Sequence, residues 1–129
     1  MSTILLAEDD PDIRHMVAYK LGRAGFEVIE VVDGLAALDA CLRDPPDLVL
    51  LDVRMPRMDG IAVCRELRAG PRTGGVPIIM LSARARPQDR EQAFAAGATD
   101  YVVKPFSPRA LVERVEATLA RASHRPFLG

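Results

Sequence analysis

The chain has 129 residues, the size of one domain, and its 49% hydrophobic and 27% charged residues are typical of a globular protein. With 17 basic and 18 acidic residues the formal net charge is −1. The composition therefore lacks the excess of positive charge that would indicate binding of nucleic acid. The longest apolar run is far too short to span a bilayer, and the amino terminus lacks the pattern of a signal peptide. We therefore expect a cytoplasmic protein without a membrane partner.

Five apolar segments predict β-strands, and each is followed by a segment with helical spacing. The predicted strands cover residues 2–7, 26–32, 48–51, 76–81 and 100–103, and the helices begin near residues 11, 35, 61, 87 and 108. We expect Asp10 and Ser107 to cap the first and last helices, and Gly22 and Gly25 to close the first one.

This alternation is typical of an α/β fold with a parallel sheet, right-handed crossovers and helices on both faces. For five such units we predict a doubly wound, flavodoxin-like sheet with the strand order 2-1-3-4-5. We assign residues 1–122 to this single domain and residues 123–129 to a carboxyl-terminal tail or linker stub.

The two cysteines, Cys41 and Cys64, fall among apolar neighbours on predicted helices. Their spacing matches no zinc site, and the two histidines of the chain stand alone. We therefore predict buried free thiols in a reducing cytosol rather than a disulfide or a redox pair.

The third strand is the centre of the predicted site. Residues 48–51 are apolar without alternation, as in a strand buried on both faces, and Asp52 follows them directly. The carboxyl ends of such strands are where open α/β sheets place their chemistry. The other polar residues that follow predicted strands are Glu8, Asp9, Asp10, Ser82 and Lys104. Because these strand ends share one edge of the sheet, we expect the side chains to converge in a single shallow cleft.

Carboxylates crowded into this cleft need a compensating positive charge. At about 5 Å and an effective dielectric constant near 20, each pair costs roughly 3 kcal/mol. Lys104 supplies one charge, and a set of oxygen ligands without His or Cys favours Mg²⁺ for the rest. We predict Asp9 as the direct ligand, with Glu8 or Asp10 acting through water. The alternative for the cleft is a salt-bridged acidic rim without a function, and the alternative for Asp52 is a helix cap or turn former.

Asp52 is then equipped as a nucleophile towards phosphorus. Its carboxylate attacks a phosphoryl donor to give an aspartyl phosphate, while Mg²⁺ and Lys104 neutralise the phosphoryl oxygens. Positioning and charge stabilisation suffice for this reaction, and it requires no general base. Arg54 and Arg84 lie two residues after Asp52 and Ser82, and we expect them to flank the mouth of the cleft.

Five motifs occur in a fixed order along the chain: Glu8-Asp9, Asp52, the run 55–60 (MPRMDG), Ser82 and Lys104-Pro105. Together they resemble the receiver domain of two-component response regulators, and the resemblance extends from residue 3 to about residue 122. It implies that Asp52 accepts a phosphoryl group from the phosphohistidine of a histidine kinase or phosphotransfer protein. It also implies a signalling domain rather than an enzyme, one that assists only its own phosphorylation and slow dephosphorylation.

The resemblance also implies roles for particular residues. Ser82 is the implied switch hydroxyl, and Tyr101 is the aromatic residue whose rotamer follows it. The alternative for Tyr101 is a half-exposed aromatic residue of an edge strand. The implied Mg²⁺ ligands are the carboxylates of Glu8, Asp9 and Asp52 and the backbone carbonyl of Arg54.

The Lys104-Pro105 pair carries a geometric expectation. Lys104 must point into the cleft while the chain turns at once into the last helix. A trans bond favours an extended exit, whereas a cis bond, which is accessible at proline, makes the tight reversal. The resemblance points the same way, so we predict a cis Lys104–Pro105 peptide.

Receivers of winged-helix transcription factors dimerise through charge pairs on the face of the fourth helix, fifth strand and fifth helix. The charges that resemble this set here are Arg90, Asp100, Arg114 and Arg121. The residues that stand where their partners are expected are Ala95, Ala96, Ala110 and Glu116. The sequence therefore leaves a homodimer through this face open.

Two other functions compete with this interpretation. A small aspartate-nucleophile phosphatase of the haloacid dehalogenase type needs a second acid two residues after the nucleophile, and that residue is Arg54 here. A flavin- or phosphate-binding flavodoxin-like module needs backbone amides of small residues after the first strand. The acidic run 8–10 repels phosphate instead.

Overall fold

The structure is a computed structural model that describes residues 1–123. Ser123 is the last residue of the final helix, so this helix extends one residue into the predicted tail. The remainder of that predicted tail, residues 124–129, lies outside the described part. No helix within residues 1–123 is long and apolar enough to cross a membrane.

Strands and helices alternate five times along the chain. The strands are β1 (Thr3–Ala7), β2 (Glu27–Val31), β3 (Leu48–Asp52), β4 (Ile78–Ser82) and β5 (Asp100–Val103). The helices are α1 (Pro11–Arg23), α2 (Gly34–Arg43), α3 (Gly60–Ala69), α4 (Pro87–Ala96) and α5 (Pro108–Ser123). The strands pair in parallel in the order β2-β1-β3-β4-β5. The predicted doubly wound, flavodoxin-like fold is therefore confirmed.

The central strand β3 is buried along its whole length, and its side chains alternate between two cores. Val49 and Leu51 pack with residues of α2, α3 and α4 on one face of the sheet. Leu48 and Leu50 pack with residues of α1 and α5 on the other face. Because both faces are apolar, the strand shows no polar alternation. Full burial of one such leucine contributes about 1.5–3 kcal/mol.

Short polar side chains begin the helices that surround the sheet. Asp10 accepts hydrogen bonds from two backbone N–H groups of α1, and the Ser107 hydroxyl accepts one from α5, so both predicted caps are confirmed. Asp33 and Asp59 cap α2 and α3 in the same way. These caps set the direction in which each chain segment leaves the carboxyl edge of the sheet.

The end of α1 differs from the expectation. Gly22 lies inside the helix, which continues to Arg23, and the prediction that Gly22 closes it is wrong. The reason is that the carbonyl oxygen of Leu21 accepts a hydrogen bond from the Phe26 N–H at 3.1 Å, which holds the last turn together beyond Gly22. Only Gly25, with φ +98°, has the left-handed backbone that ends a helix, so that part of the prediction is confirmed.

Substitution of the two glycines by alanine is expected to have opposite effects on stability. Neither position has an atom within 4 Å of an added Cβ, so the backbone alone decides the sign. Gly22→Ala is expected to raise the free energy of unfolding by about 0.5–1 kcal/mol, because alanine favours a helix. Gly25→Ala is expected to lower it by about 1 kcal/mol, because a Cβ opposes positive φ. Urea denaturation measures the free energy of unfolding of both variants. A Gly25→Ala variant that is more stable than the parent contradicts the left-handed backbone assigned to Gly25.

The two cysteines are free and fully buried, as predicted. Burial raises the pKa of the Cys41 thiol to about 12 and also raises that of Cys64. Because the thiolate is the reactive form, we expect no reaction of the native protein with Ellman's reagent near pH 8. Both thiols are expected to react once urea unfolds the chain. Stoichiometric labelling of the native protein contradicts this burial.

Candidate functional site

The carboxyl ends of four strands bring the predicted polar residues to one edge of the sheet. Glu8 follows β1, Asp52 ends β3, Ser82 ends β4 and Lys104 follows β5. Backbone hydrogen bonds continue just past the strands, and the Lys104 N–H donates to the carbonyl oxygen of Ser82 at 2.8 Å. The register of the sheet therefore fixes the relative positions of these side chains.

Lys104 is the positive charge at the centre of the site. Its Nζ lies 2.6 Å from Oε1 of Glu8 and 3.1 Å from Oδ2 of Asp52. Glu8 is fully buried and Asp52 is 5% exposed. Burial raises the pKa of Glu8, and its neighbour Asp52 raises it further, whereas the bond from Lys104 opposes both. Burial acts to lower the pKa of Lys104, but the two carboxylates outweigh this effect and the pKa is raised.

A group of three carboxylates beside Lys104 has the chemistry of a metal site. Glu8, Asp9 and Asp52 each offer one carboxylate oxygen, and these oxygens lie within 4.8 Å of one another. A set made only of oxygen ligands fits a hard divalent cation. The Asp10 carboxylate is engaged in capping α1, so the structure places Glu8 rather than Asp10 in this group.

Ser82 and Tyr101 are joined through the backbone of Arg84. The Arg84 N–H donates to Oγ of Ser82 at 3.0 Å, and the Tyr101 hydroxyl donates to the Arg84 carbonyl oxygen at 2.7 Å. Tyr101 is 2% exposed and packs in the core, so the alternative of a half-exposed aromatic residue does not hold here. The guanidinium of Arg90 covers its ring, 5.3 Å from the centroid. The Ser82 and Tyr101 side chains are therefore connected through the backbone of one residue.

The cleft itself has a volume of about 400 Å³, and Arg54 and Arg84 lie at its border as expected. The Arg54 N–H donates to Oδ1 of Asp52 at 3.2 Å, which holds the carboxylate in place. A second cavity of about 730 Å³ shares Asp9 and both arginines and extends towards α3 and α4. The Asp52 carboxylate therefore lies in a cleft that is bordered by two arginines.

The sequence alone did not single out two glycines that pack closely against the end of β3 and the loop that follows it. A Cβ on Gly60 would lie 2.3 Å from the carbonyl oxygen of Asp52, and one on Gly34 would lie 1.8 Å from that of Met58. Both contacts are with backbone, so neither position accepts a side chain without a shift of the loop after β3. The only signal was that an Asp-Gly pair begins each of these helices, which is also the pattern of an ordinary turn.

The remaining predicted residues are placed as follows. The Lys104–Pro105 peptide is cis, which confirms the prediction. Asp100 and Arg114 form an ion pair at 3.2 Å within the chain. Arg121 and Thr118 line a cavity at the edge of the sheet where the strands begin. Arg90 lies over the ring of Tyr101, and a homodimer through the face of α4, β5 and α5 stays a prediction.

Comparisons with known proteins identify similar sequences. The family model described as the response regulator receiver domain matches residues 4–116. The DNA-binding dual master transcriptional regulator RpaA of Synechocystis sp. is 40% identical over 126 residues, which are 98% of this chain and 52% of RpaA. The DNA-binding response regulator MtrA of Mycolicibacterium smegmatis is 46% identical over 123 residues, or 95% of this chain and 53% of MtrA. The chain spans about half the length of these curated relatives.

Solved structures show the same similarity. The chemotaxis protein CheY4 of Vibrio cholerae superposes with a TM-score of 0.86 at 33% identity, covering 91% of this chain and 98% of CheY4. The receiver domain of the sensor histidine kinase PA1611 of Pseudomonas aeruginosa PAO1 superposes with a TM-score of 0.86 at 36% identity. That comparison covers 92% of this chain and 98% of the other, whose structure has a magnesium ion coordinated in the active-site cleft.

Proposed function

The chain belongs to the response regulator receiver domain family, and on this basis we propose that Asp52 accepts a phosphoryl group from the phosphohistidine of a histidine kinase or phosphotransfer protein. The observation that carries the proposal is the Lys104 ammonium, which lies 3.1 Å from Asp52 at the carboxyl edge of the sheet. A carboxylate nucleophile beside a fixed cation suits attack on phosphorus, because the phosphoryl oxygens carry negative charge.

The transfer needs little from the protein beyond position and charge. One carboxylate oxygen of Asp52 forms the new bond to phosphorus while the P–N bond of the phosphohistidine breaks. The ammonium of Lys104 binds a phosphoryl oxygen and stabilises its charge as the bond forms. The Ser82 hydroxyl, which lies at the end of β4, donates a hydrogen bond to another phosphoryl oxygen.

We propose that Mg²⁺ is the metal of this site. The residues that would hold it are Glu8, Asp9 and Asp52, together with the backbone carbonyl of Arg54. The three carboxylates fit a hard cation, and a bound Mg²⁺ would supply further positive charge to the phosphoryl oxygens. The magnesium ion in the cleft of the PA1611 receiver domain supports this choice.

Phosphorylation is proposed to reshape the surface formed by α4, β5 and α5. When the Ser82 hydroxyl turns towards the phosphoryl group, its bond to the Arg84 N–H is exchanged for a new one. The Arg84 carbonyl also holds the Tyr101 hydroxyl, so a shift of this loop changes the position of the aromatic ring. Phosphorylation favours the new arrangement only to the extent that the phosphoryl group interacts better with that arrangement than with the original one.

The family consists of signalling domains rather than ordinary enzymes, and we propose that the chain assists only its own phosphorylation and slow dephosphorylation. We assign this activity to residues 1–122 and propose a cytoplasmic location. RpaA and MtrA are named as DNA-binding regulators, but this domain has a net charge of −1, and we propose that it binds no nucleic acid itself. A homodimer through α4, β5 and α5 stays an open prediction.

The experiment is phosphorylation by acetyl phosphate, read by intact-protein mass spectrometry. With Mg²⁺ we expect one phosphoryl group per chain, stable in acid and lost in mild base, as an acyl phosphate is. With EDTA in place of Mg²⁺ we expect the reaction to fall to background. Equal phosphorylation in the two buffers refutes the metal assignment, and a base-stable product refutes the carboxylate acceptor.

A further inference from the structure

The loop between β1 and α1 presents two of the three carboxylates of the candidate metal site, those of Glu8 and Asp9. The side chain of Glu8 is fixed by Lys104 at 2.6 Å and by the Asp10 N–H, which donates to Oε2 at 3.1 Å. Asp9 is exposed, so the direction of its carboxylate depends mainly on the backbone that carries it. The contacts that hold this backbone therefore decide whether the two carboxylates can act together.

Arg14 holds the peptide that joins Glu8 to Asp9. Its Nη1 donates to the carbonyl oxygen of Glu8 at 3.0 Å. The N–H of Glu8 donates to the carbonyl oxygen of Val31 at 3.2 Å, so the end of β2 holds the same residue from its other side. Because a peptide unit is planar, fixing the carbonyl group of Glu8 also fixes the direction in which the chain continues to Asp9.

The same guanidinium is anchored to the neighbouring strand. Nε of Arg14 lies 3.5 Å from Oε1 of Glu30, a residue of β2 that pairs with Leu6 of β1. The Arg14 side chain is only 14% exposed, although that of Glu30 is 39% exposed. A guanidinium is planar and presents its donors in a fixed geometry, so an anchor on Nε limits the position of Nη1. Glu30 therefore orients the group that binds the loop and also neutralises its charge.

The place of Arg14 in the helix supports a role outside the helix. It is the fourth residue of α1, close to the amino terminus, where the helix dipole disfavours a positive charge. The side chains of a helix point back towards its amino terminus, and this direction carries the guanidinium to the loop that precedes α1. The contacts with Glu8 and Glu30 compensate for the unfavourable place of the charge.

We propose that Arg14 is a positioning residue of the metal site, which keeps the carboxylates of Glu8 and Asp9 directed towards a common divalent cation. The inference rests on the proposed function, because Mg²⁺ is the cation proposed there. Arg14 acts through the backbone of the loop and not by contact with the metal. Partners that orient metal ligands in this way change metal affinity roughly ten- to a hundredfold. A guanidinium without this role acts on the cation only through its charge, which repels Mg²⁺.

The test is a titration of the full chain with Mg²⁺ at constant ionic strength, followed by backbone amide chemical shifts. Arg14→Gln is expected to weaken Mg²⁺ binding roughly tenfold or more, because the loop loses its anchor. Charge alone has the opposite sign, since the loss of one cation favours the binding of another nearby. Arg14→Lys is expected to lie between the parent and Arg14→Gln, because an ammonium keeps only part of the contacts of a guanidinium. Arg23→Gln is the matched control, since Arg23 is an exposed arginine at the other end of α1, and it is expected to bind Mg²⁺ as the parent does.

Glu30 provides a second measurement of the same role. Glu30→Gln is expected to weaken Mg²⁺ binding less than Arg14→Gln does, because the bond from Arg14 to the Glu8 carbonyl loses its orientation but is not removed. In the Arg14→Gln background the same change is expected to weaken binding little further, since the two residues act as one unit. Fully additive losses in the double variant overturn the coupling of Glu30 to the loop through Arg14.

Urea denaturation of the metal-free proteins distinguishes positioning from a merely structural bond between α1 and β2. A structural bond alone predicts lower stability of Arg14→Gln with unchanged Mg²⁺ affinity, and that result overturns the inference, as does tighter binding of Mg²⁺ by this variant. If Arg14→Gln does not fold, affinities equal to that of the parent in both Arg14→Lys and Glu30→Gln overturn it instead. A parent that binds no Mg²⁺ overturns the proposed metal and this inference together, whereas variants that bind as a Mg²⁺-binding parent does overturn the inference alone.

Discussion

Asp52→Asn is expected to abolish the incorporation of a phosphoryl group from acetyl phosphate. The amide keeps the size of the side chain but has no anionic oxygen, so the variant has lost the nucleophile that attacks phosphorus. The same variant is expected to receive no phosphoryl group from a partner kinase. Intact-protein mass spectrometry, with separation of the phosphorylated form on a phosphate-affinity gel, measures both results.

Asp59→Asn is the matched control for this experiment. Asp59 is another carboxylate in the loop after β3, where it caps α3 by accepting a hydrogen bond from the Ala62 N–H. Asparagine caps a helix about as well as aspartate, so this variant loses a negative charge without losing the cap. We expect it to be phosphorylated at a rate close to that of the parent. A phosphorylated Asp52→Asn protein shows that the acceptor lies elsewhere.

Lys104→Met is expected to lower the free energy of unfolding by about 3–5 kcal/mol in metal-free buffer. The variant removes the cation that lies 2.6 Å from Glu8 and 3.1 Å from Asp52, and it leaves both carboxylates buried. The double variant Glu8→Gln/Lys104→Met removes the uncompensated charge as well and is expected to recover much of the loss. Urea denaturation of the parent, the two single variants and the double variant gives the four free energies of unfolding that a double-mutant cycle needs.

The loss in Lys104→Met is also expected to depend on pH. The pKa of Glu8 is already raised by burial, and removal of the lysine raises it further. A carboxyl group with a raised pKa in the folded state stabilises the fold at low pH, and this contribution is lost as the pH rises through that pKa. We therefore expect the variant to lose less stability near pH 5 than near pH 8. An equal loss at both values contradicts a charged, buried Glu8.

Asp9→Asn is the control variant, because we do not expect it to lower the free energy of unfolding in metal-free buffer. Asp9 belongs to the same group of carboxylates but is exposed, and it is absent from the bonds that Lys104 makes. Removing its charge is expected to leave metal-free stability unchanged or slightly higher. It is also expected to weaken the stabilisation that Mg²⁺ gives to the parent. A large loss of metal-free stability in this variant contradicts the crowding of negative charge around Asp52.

The sequence by itself determined the fold and the residues at the carboxyl edge of the sheet. A short run of apolar residues that ends in Asp52, has no alternation and lies between two helical segments is typical of a strand buried on both faces. The same holds for the polar residues after the other strands. Parallel strands end at a common edge, so Glu8, Ser82 and Lys104 were assigned to one cleft from their order alone.

Only the tertiary structure decided which of these residues touch. Lys104 and Glu8 are 96 residues apart in sequence, and their contact depends on the register of four strands. The same is true of the close approach of Gly60 to Asp52 and of the cavity that brings Arg68 to Thr118. Sequence spacing predicts neighbours along one helix or strand. Distances between separate elements follow from how the two cores pack, which no local pattern records.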